Sequence, residues 1–566
     1  MQQTLNIKKH ICVLLSFFVL FACDKDDVVL PKMDNTFKSY LVANFDLDGD
    51  GEISPYEASL ITEIDCSDRD IWQLDGIEDL PNLEVLICAN NDILIVNVSK
   101  NPKLKTLICD GNYIHIMDVS NNPLLETLSC KDCGRLDSLV LNTGVKKLDI
   151  RGHLFETIDF RQNKHLKELY CGSPYLTVCD VSMSEVEILD CNDSNNLTEL
   201  NIDGCIALKR LTCNVDDLVL DLSNSPNLEE LYLTSIRKLD VSRSASLRIL
   251  HCANISSEHT DLDLSKNPLL EDLKLHGTIL DRIDLSNNLQ LVNVDLFISI
   301  SQSTLDFSNR TMLKSFSYRQ WGESGQKLES VNFSGCTNLE NMNLENMKIN
   351  SLNVSGCRTL SILNCVNSRL TELNMNECVN LSVLNCRGND LAELELGEFT
   401  KLTTLNCSEN KLTSLKINSV NLILLNCVSN QLAELNVRHQ TRLEELYCND
   451  NHISSLDLTD CTSLVELDCR NMSSLTSLIL ANCKSLETIY STNCSLTTLD
   501  VNSCMALTHL YCAANRLQPS LDVSKCPGLI ELNCISNPGL TELFLHKNNT
   551  IDPLYKDPQT QIVLAN

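Results

Sequence analysis

The amino-acid sequence predicts a solenoid, in which parallel strands stack coil on coil and each coil buries its apolar edge only against its neighbours. Three observations predict it. The frame L-x-x-L-x-C returns about every 21 residues, as in Leu104-x-x-Leu107-x-Cys109, Leu381-x-x-Leu384-x-Cys386 and Leu443-x-x-Leu446-x-Cys448. An asparagine stands three residues after the cysteine slot at Asn91, Asn112, Asn389, Asn410, Asn430, Asn451 and Asn515. A second half, typified by Leu352-Asn-Val354-Ser355-Gly356-Cys357, returns the chain to the next strand and is too short for an α-helix. From position 66 to position 534 the slot occurs 23 times, filled by sixteen Cys, four Leu and one each of Ile, Tyr and Ser. Function is therefore expected on a long surface, not in a single pocket.

Taken in order, residues 1–22 read as a secretion signal: Lys8, Lys9 and His10 precede the apolar run Ile11–Phe21. That run is shorter than the roughly 20 apolar residues that span a bilayer. Leu20-Phe21-Ala22-Cys23 resembles a bacterial lipobox, which implies acylation of Cys23 and a lipidated tether over residues 23–33. The following Asp24-Lys25-Asp26-Asp27 looks like the export signal of surface lipoproteins in some Gram-negative bacteria. In other bacteria an Asp in that place retains a lipoprotein at the inner membrane. The expected location is the outer membrane, lipid-anchored and facing outward.

Residues 34–60 form the next expected element, a small helical calcium cap. Asp46-x-Asp48-x-Asp50-Gly51-Glu52-Ile53-Ser54-x-x-Glu57 fits the twelve-residue EF-hand loop at every ligand position. Ca²⁺ takes six to eight hard oxygens. Carboxylates at positions 1, 3 and 5 and a bidentate Glu at 12 supply most of them, and Gly at 6 permits the sharp turn. Glu52 would offer its carbonyl, and Ser54 its hydroxyl directly or through water. Ser54-Pro55-Tyr56-Glu57 also reads as a capped helix start. The loop is single, so one structural ion is expected rather than a paired sensor.

Repeats fill 61–545, and 546–566 is expected to cover the last coil. The fullest unit runs Leu402-Thr-Thr-Leu405-Asn-Cys407-Ser-Glu-Asn410-Lys-Leu412-Thr-Ser-Leu415-Lys-Ile417. It resembles the bacterial leucine-rich repeats of the internalin group, particularly the subgroup with 21-residue units and a cysteine ladder. That resemblance implies a leucine-rich-repeat solenoid, with parallel β-strands on the concave face and short extended or 3₁₀ segments on the convex face. An EF-hand cap is not a hallmark of that group, and no immunoglobulin-like domain or cell-wall sorting signal follows the repeats, so the whole-protein comparison fails at both ends.

The chain has 45 basic and 75 acidic residues, a net charge of −30. This excludes phosphate-neutralising nucleic-acid binding and disfavours an anionic membrane face. It also keeps a long apolar-cored chain soluble and apart from its copies, so a monomer is expected. The 29 cysteines read as packing rather than disulfides. Stacked strands lie about 4.8 Å apart, whereas bonded Cβ atoms want about 3.8 Å. A second cysteine column runs through Cys205, Cys336, Cys357, Cys378, Cys461, Cys483, Cys504 and Cys526, and Cys133 and Cys494 stand where Asn is usual.

Candidate ligand contacts lie in the strand position just before the slot. There Asn343, Asn364, Asn385, Asn406 and Asn426 suggest a stacked amide ladder, followed by Tyr447, Asp468, Tyr490 and Tyr511. Exposed aromatics in one slot suggest an interface. Tyr318, Arg319 and Trp321, in a unit swollen to 26 residues, form the second candidate. No catalytic motif stands apart from the repeat. The sequence thus points to a non-enzymatic, surface-tethered binding protein or adhesin for proteins or glycans of a host or neighbouring cell. Nutrient capture and a plain spacer are the alternatives.

Overall fold

The computed structural model describes residues 35–134, 136–255, 260–321, 328–397 and 399–565. The chain divides into two compact units, one ending at Gly144 and one beginning at Val145. Cys23 and the secretion signal lie outside the described residues.

Each coil contributes one short strand to a main parallel sheet. Within the first unit, Glu63–Asp65 pairs with Val85–Ile87, which pairs with Thr106–Ile108 and then Thr127–Ser129. The second unit repeats the pattern, for example from Val383–Asn385 through Thr404–Asn406 and Leu424–Asn426 to Glu445–Tyr447. Only three residues per coil form most of these strands, because a 21-residue circuit leaves room for little more. The central Leu of each points inward and is buried, as Leu384, Leu405, Leu425 and Leu446 show. Return segments make small parallel sheets of their own, such as Ser351–Asn353 on Glu372–Asn374. A 3₁₀ turn occurs at Ile77–Asp79.

Asparagine makes the turn after the slot because its amide replaces backbone partners that the bend removes. Asn410 Nδ2 donates to the carbonyls of Cys386, Cys407 and Ser408 at 2.9, 3.1 and 3.1 Å, while Oδ1 accepts from Leu391 N at 3.1 Å. One side chain thus ties two coils. Cys133 and Cys494 keep one of these bonds, from Sγ to the carbonyl of the previous coil at 3.2 and 3.1 Å. The second cysteine column does the same on the return side. Cys357, Cys378 and Cys461 each donate to a carbonyl one coil back at 3.2 Å, where Asn122 and Asn288 donate elsewhere in that column. Arg310 also stands in that column, its buried guanidinium reaching the carbonyls of Asn288 and Leu285 at 2.7 and 2.6 Å.

The described residues hold 27 cysteines, all free and buried. Cys109 and Cys130 approach to 3.5 Å between sulfurs and remain thiols. Burial pushes Cys386 and Cys427 up to about 12, so the reactive thiolate is suppressed. A disulfide-exchange reagent at pH 8 should therefore leave the ladder untouched in the folded chain and titrate all of it in denaturant. Rapid reaction of ladder thiols without unfolding would contradict this packing.

In the 26-residue unit the slot holds Tyr318, which is 0% exposed and donates its hydroxyl to Ile298 O at 3.2 Å. Phe307, Phe316 and Phe333 pack together at centroid distances of 4.9, 5.0 and 4.6 Å. Tyr318 is accordingly a core residue, and its expected role as a ligand contact is corrected: the slot faces inward.

Candidate functional site

At the N-terminal end, the helices α1 (Asn35–Phe45) and α2 (Pro55–Leu60) flank the acidic loop. Phe37 and Leu41 of α1 are buried, and Arg69 lies 5.1 Å over the Tyr40 ring. Ser54 caps α2 in a reciprocal capping box with Glu57. Gly49 and Gly51 take φ of +76° and +86°, where L side chains are strained. One oxygen each from Asp46, Asp48 and Asp50 lies within 4.8 Å of the others. Glu57 Oε1 accepts from Leu47 N at 2.6 Å, and its Oε2 accepts from Ser54 N at 2.8 Å and Ser54 Oγ at 2.7 Å. A carboxylate has about four acceptor positions, so these bonds orient the oxygens without exhausting them. Glu52 turns its carboxylate away to Lys38 at 2.6 Å, leaving its carbonyl for the loop. The donor set is all oxygen, and it fits a hard divalent cation.

The Ser54 hydroxyl, then the Leu47 and Ser54 amides, hold the Glu57 carboxyl down at about 2, against an ordinary 4.5. A depressed folded value stabilises the loop above the unfolded value and loses that support as protons bind. Without added metal, amide protection across 46–60 should fall as pH drops from 4.5 toward 2. Unchanged protection over that window, after correction for intrinsic exchange, would remove Glu57 as the clasp.

The outward face of the main sheet in the second unit carries the other candidates. Tyr447, Asp468, Tyr490 and Tyr511 are in register on successive coils. Tyr490 and Tyr511 stack at 5.0 Å with 4° between planes. Tyr447 and Tyr511 donate to Glu445 and Glu531 at 2.9 and 2.8 Å. Asp468 is not a free contact. It is 6% exposed and clasped by Arg470 Nε and Nη2 at 3.0 and 2.7 Å. Arg470 in turn lies 5.0 Å over the Tyr490 ring, so it is the guanidinium, not the carboxylate, that faces outward here.

The five preceding asparagines do not stack throughout. Asn364 donates to Asn343 Oδ1 at 2.7 Å, but Asn385, Asn406 and Asn426 accept from backbone amides two residues on. Arg319 is exposed over the Phe297 ring at 5.2 Å. Trp321 is half-buried, its backbone N–H bound to Ile298 O at 3.2 Å.

A further group was missed from sequence. Strands lengthen to Arg210–Val219, Glu230–Lys238, Asp272–Asp284 and Asn293–Ile300. The first three of these, with Ile249–Ala253 between them, line a groove of about 460 Å³ that includes Asp190, Arg210, Tyr232, His251, Lys274 and His276. His251 pairs with Asp272 at 2.9 Å and His276 with Asp295 at 3.0 Å. Tyr232 meets His251 edge-on at 5.0 Å, under Arg210 at 5.2 Å. Asp190, Tyr232, His251, Lys274 and Asp295 occupy the strand position of Tyr447, His276 the position two after it, and Arg210 and Asp272 the position two before it.

No protein-family model matches the chain. A stretch of 68 residues, 12% of the chain, is 34% identical to internalin J of Listeria monocytogenes and spans about 7% of that curated relative. The solved functional domain of internalin J from L. monocytogenes, described as including a cysteine ladder, aligns over 90% of this chain and 79% of its own at 19% identity and TM-score 0.33. A crystal structure of a TDR receptor aligns over 84% of this chain and 92% of its own at 14% identity, with TM-score 0.52. No helix among the described residues is long and apolar enough to cross a membrane. The chain is a parallel β-solenoid of the leucine-rich-repeat type, built of about 21-residue coils around a buried cysteine ladder.

Proposed function

We propose that the chain is a binding protein or adhesin of the bacterial surface, held to the outer membrane by a lipid on Cys23. The ordered row from Tyr447 to Tyr511 carries this reading. Half-exposed rings, a guanidinium and carboxylates stand in register on one rigid sheet face. Proteins and glycans both favour such mixtures, since an aromatic face contributes apolar area beside directional hydrogen bonds. The likeness of 68 residues to internalin J agrees with a surface role. The full chain should be captured with the outer membrane, and Cys23→Ala should release it. It should bind saturably to a folded surface protein or a glycan from a host or neighbouring cell. Equal recovery of wild type and Cys23→Ala in the soluble fraction would remove the anchor.

The groove about His251 and His276 favours a second reading, nutrient capture, because its volume suits a small polar ligand. Saturable binding of an oligosaccharide or short peptide, lost on His251→Ala, would select it over adhesion.

Calcium belongs to the same proposal as a structural ion. Asp46, Asp48, Asp50, Glu57, the Glu52 carbonyl and Ser54 would hold it against the first coil. Binding only the folded state stabilises by RT ln(1 + [L]/Kd), about 2.7 kcal/mol at a hundredfold excess over Kd. Calcium should raise the unfolding temperature of the cap, and Asp46→Asn with Asp48→Asn should abolish the rise. Ligand affinity should stay constant once the cap is folded. A calcium-dependent affinity at constant folding would make the ion regulatory instead.

A further inference from the structure

One coil of the second unit departs from the aliphatic rule on its return side. The column that holds Ile158 in one coil and Leu200 two coils on holds Cys179 in the coil between. Cys179 is 0% exposed, and its sulfur lies within 4.8 Å of both the Cys171 and the Cys191 sulfurs. Those two are ladder residues of successive coils, 3.8 Å apart. A thiol from the far wall thus meets two from the near wall in the middle of the interior. Three thiolates bound at about 2.3 Å to one ion would lie about 4 Å apart, so this spacing needs little adjustment.

Donor chemistry narrows the ion. The nearby imidazole of His153 is spent on the backbone, with Nε2 at 2.9 Å from Cys171 O and Nδ1 accepting from Phe155 N at 2.8 Å. The site therefore offers three sulfurs in an apolar, dry interior. Structural zinc sites are closed by four ligands, whereas soft thiolate ligands select monovalent copper.

We propose that Cys171, Cys179 and Cys191 form a three-coordinate thiolate site for a soft monovalent cation, Cu(I), buried between two coils. On binding, three S–H bonds break, their protons pass to solvent, and three S–Cu bonds form with no change of oxidation state. The site would join the two walls of the solenoid at this coil.

The test titrates Cu(I) into the reduced full chain under anaerobic conditions, against a chromophoric Cu(I) chelator. Wild type should retain one equivalent more than Cys179→Leu, which restores the side chain of Leu200 and keeps the fold by circular dichroism. Cys365→Ala, a ladder change elsewhere, should keep that equivalent, and the chelator is set strong enough to strip two-sulfur sites, the Cys171 and Cys191 pair of the variant included. X-ray absorption of the sample with one equivalent should show three sulfurs at about 2.3 Å. Should Cys179→Leu fold poorly, Cys179→Ser must lose the same equivalent. Equal stoichiometry in wild type and variant, a fourth light-atom ligand, or displacement by equimolar Zn(II) would each overturn the proposal.

Discussion

Asn410→Ala is expected to loosen the coils on either side of it, at a cost of about 1–3 kcal/mol. The change strips a donor from three backbone carbonyls and an acceptor from Leu391 N. The carbonyls keep a second donor each, Asn389 Nδ2 on Cys386 O, Asn430 Nδ2 on Cys407 O and Gly388 N on Ser408 O. Leu391 N is thus the group left unpaired, and a buried group without a partner costs about 1–3 kcal/mol. The effect should be local, because a stack of coils is held by nearest-neighbour contacts and does not unfold as one two-state body. Native-state hydrogen exchange is the measurement: amides of roughly 386–430 should lose protection while distant coils keep theirs. Asn410→Cys should lose less, since Cys133 and Cys494 show that a thiol in this slot still reaches the carbonyl one coil back. Equal loss in Ala and Cys variants would mean that side-chain volume, not the hydrogen bond, sets the ladder's contribution.

Changing Tyr447, Tyr490 and Tyr511 together to Ala should reduce ligand binding by well over tenfold. Aromatic hot spots are commonly worth 2 kcal/mol or more each on truncation. Outward rings alone would be expected to leave the melting temperature nearly fixed, but the stacking of Tyr490 on Tyr511 and the Arg470 guanidinium over Tyr490 change that expectation. An aromatic pair contributes about 0.5–1.5 kcal/mol beyond its area, and an exposed cation–π contact about 0.5–1 kcal/mol. The triple variant should therefore also lose about 1–2 kcal/mol of local stability. Tyr447→Phe separates the two effects, since it keeps the ring and removes only the hydroxyl bonded to Glu445. Normal binding by the triple variant, corrected for folded fraction, would make the rings packing residues and move attention to the groove at His251.

The periodic parts of the fold were legible because the same geometry recurs from coil to coil. An inward Leu, a small interior residue and an Asn that closes the turn each answer a constraint that is the same in every coil. Tyr318 broke the volume rule, since a large ring fills the inward slot of its coil, and spacing alone does not reveal that. Asp468 was legible as to position and not as to exposure, since Arg470 two residues on folds back to cover it. The same Asp-x-Arg arrangement at Asp149 and Arg151, with Arg151 5.3 Å over Tyr170, shows that the spacing was a readable signal. The His251 and His276 pairs escaped because their partners lie one coil away, 21 and 19 residues on. Following the column before the slot along its full length places Tyr232, His251, Lys274 and Asp295 in one row.

The bonds by which each turn asparagine grips two successive coils also bear on how such a chain can change length. Asn410 meets Cys386 O and Cys407 O in the way that Asn389 meets Cys365 O and Cys386 O. Excising residues 387–407 would bring Ser408 and Asn410 behind Cys386 with equivalent carbonyls in reach, and duplication would do the reverse. Gene-level gain or loss of one whole repeat therefore requires no new joint to be invented. Selection can add or discard coils while the tyrosine row and the acidic loop keep their own local chemistry.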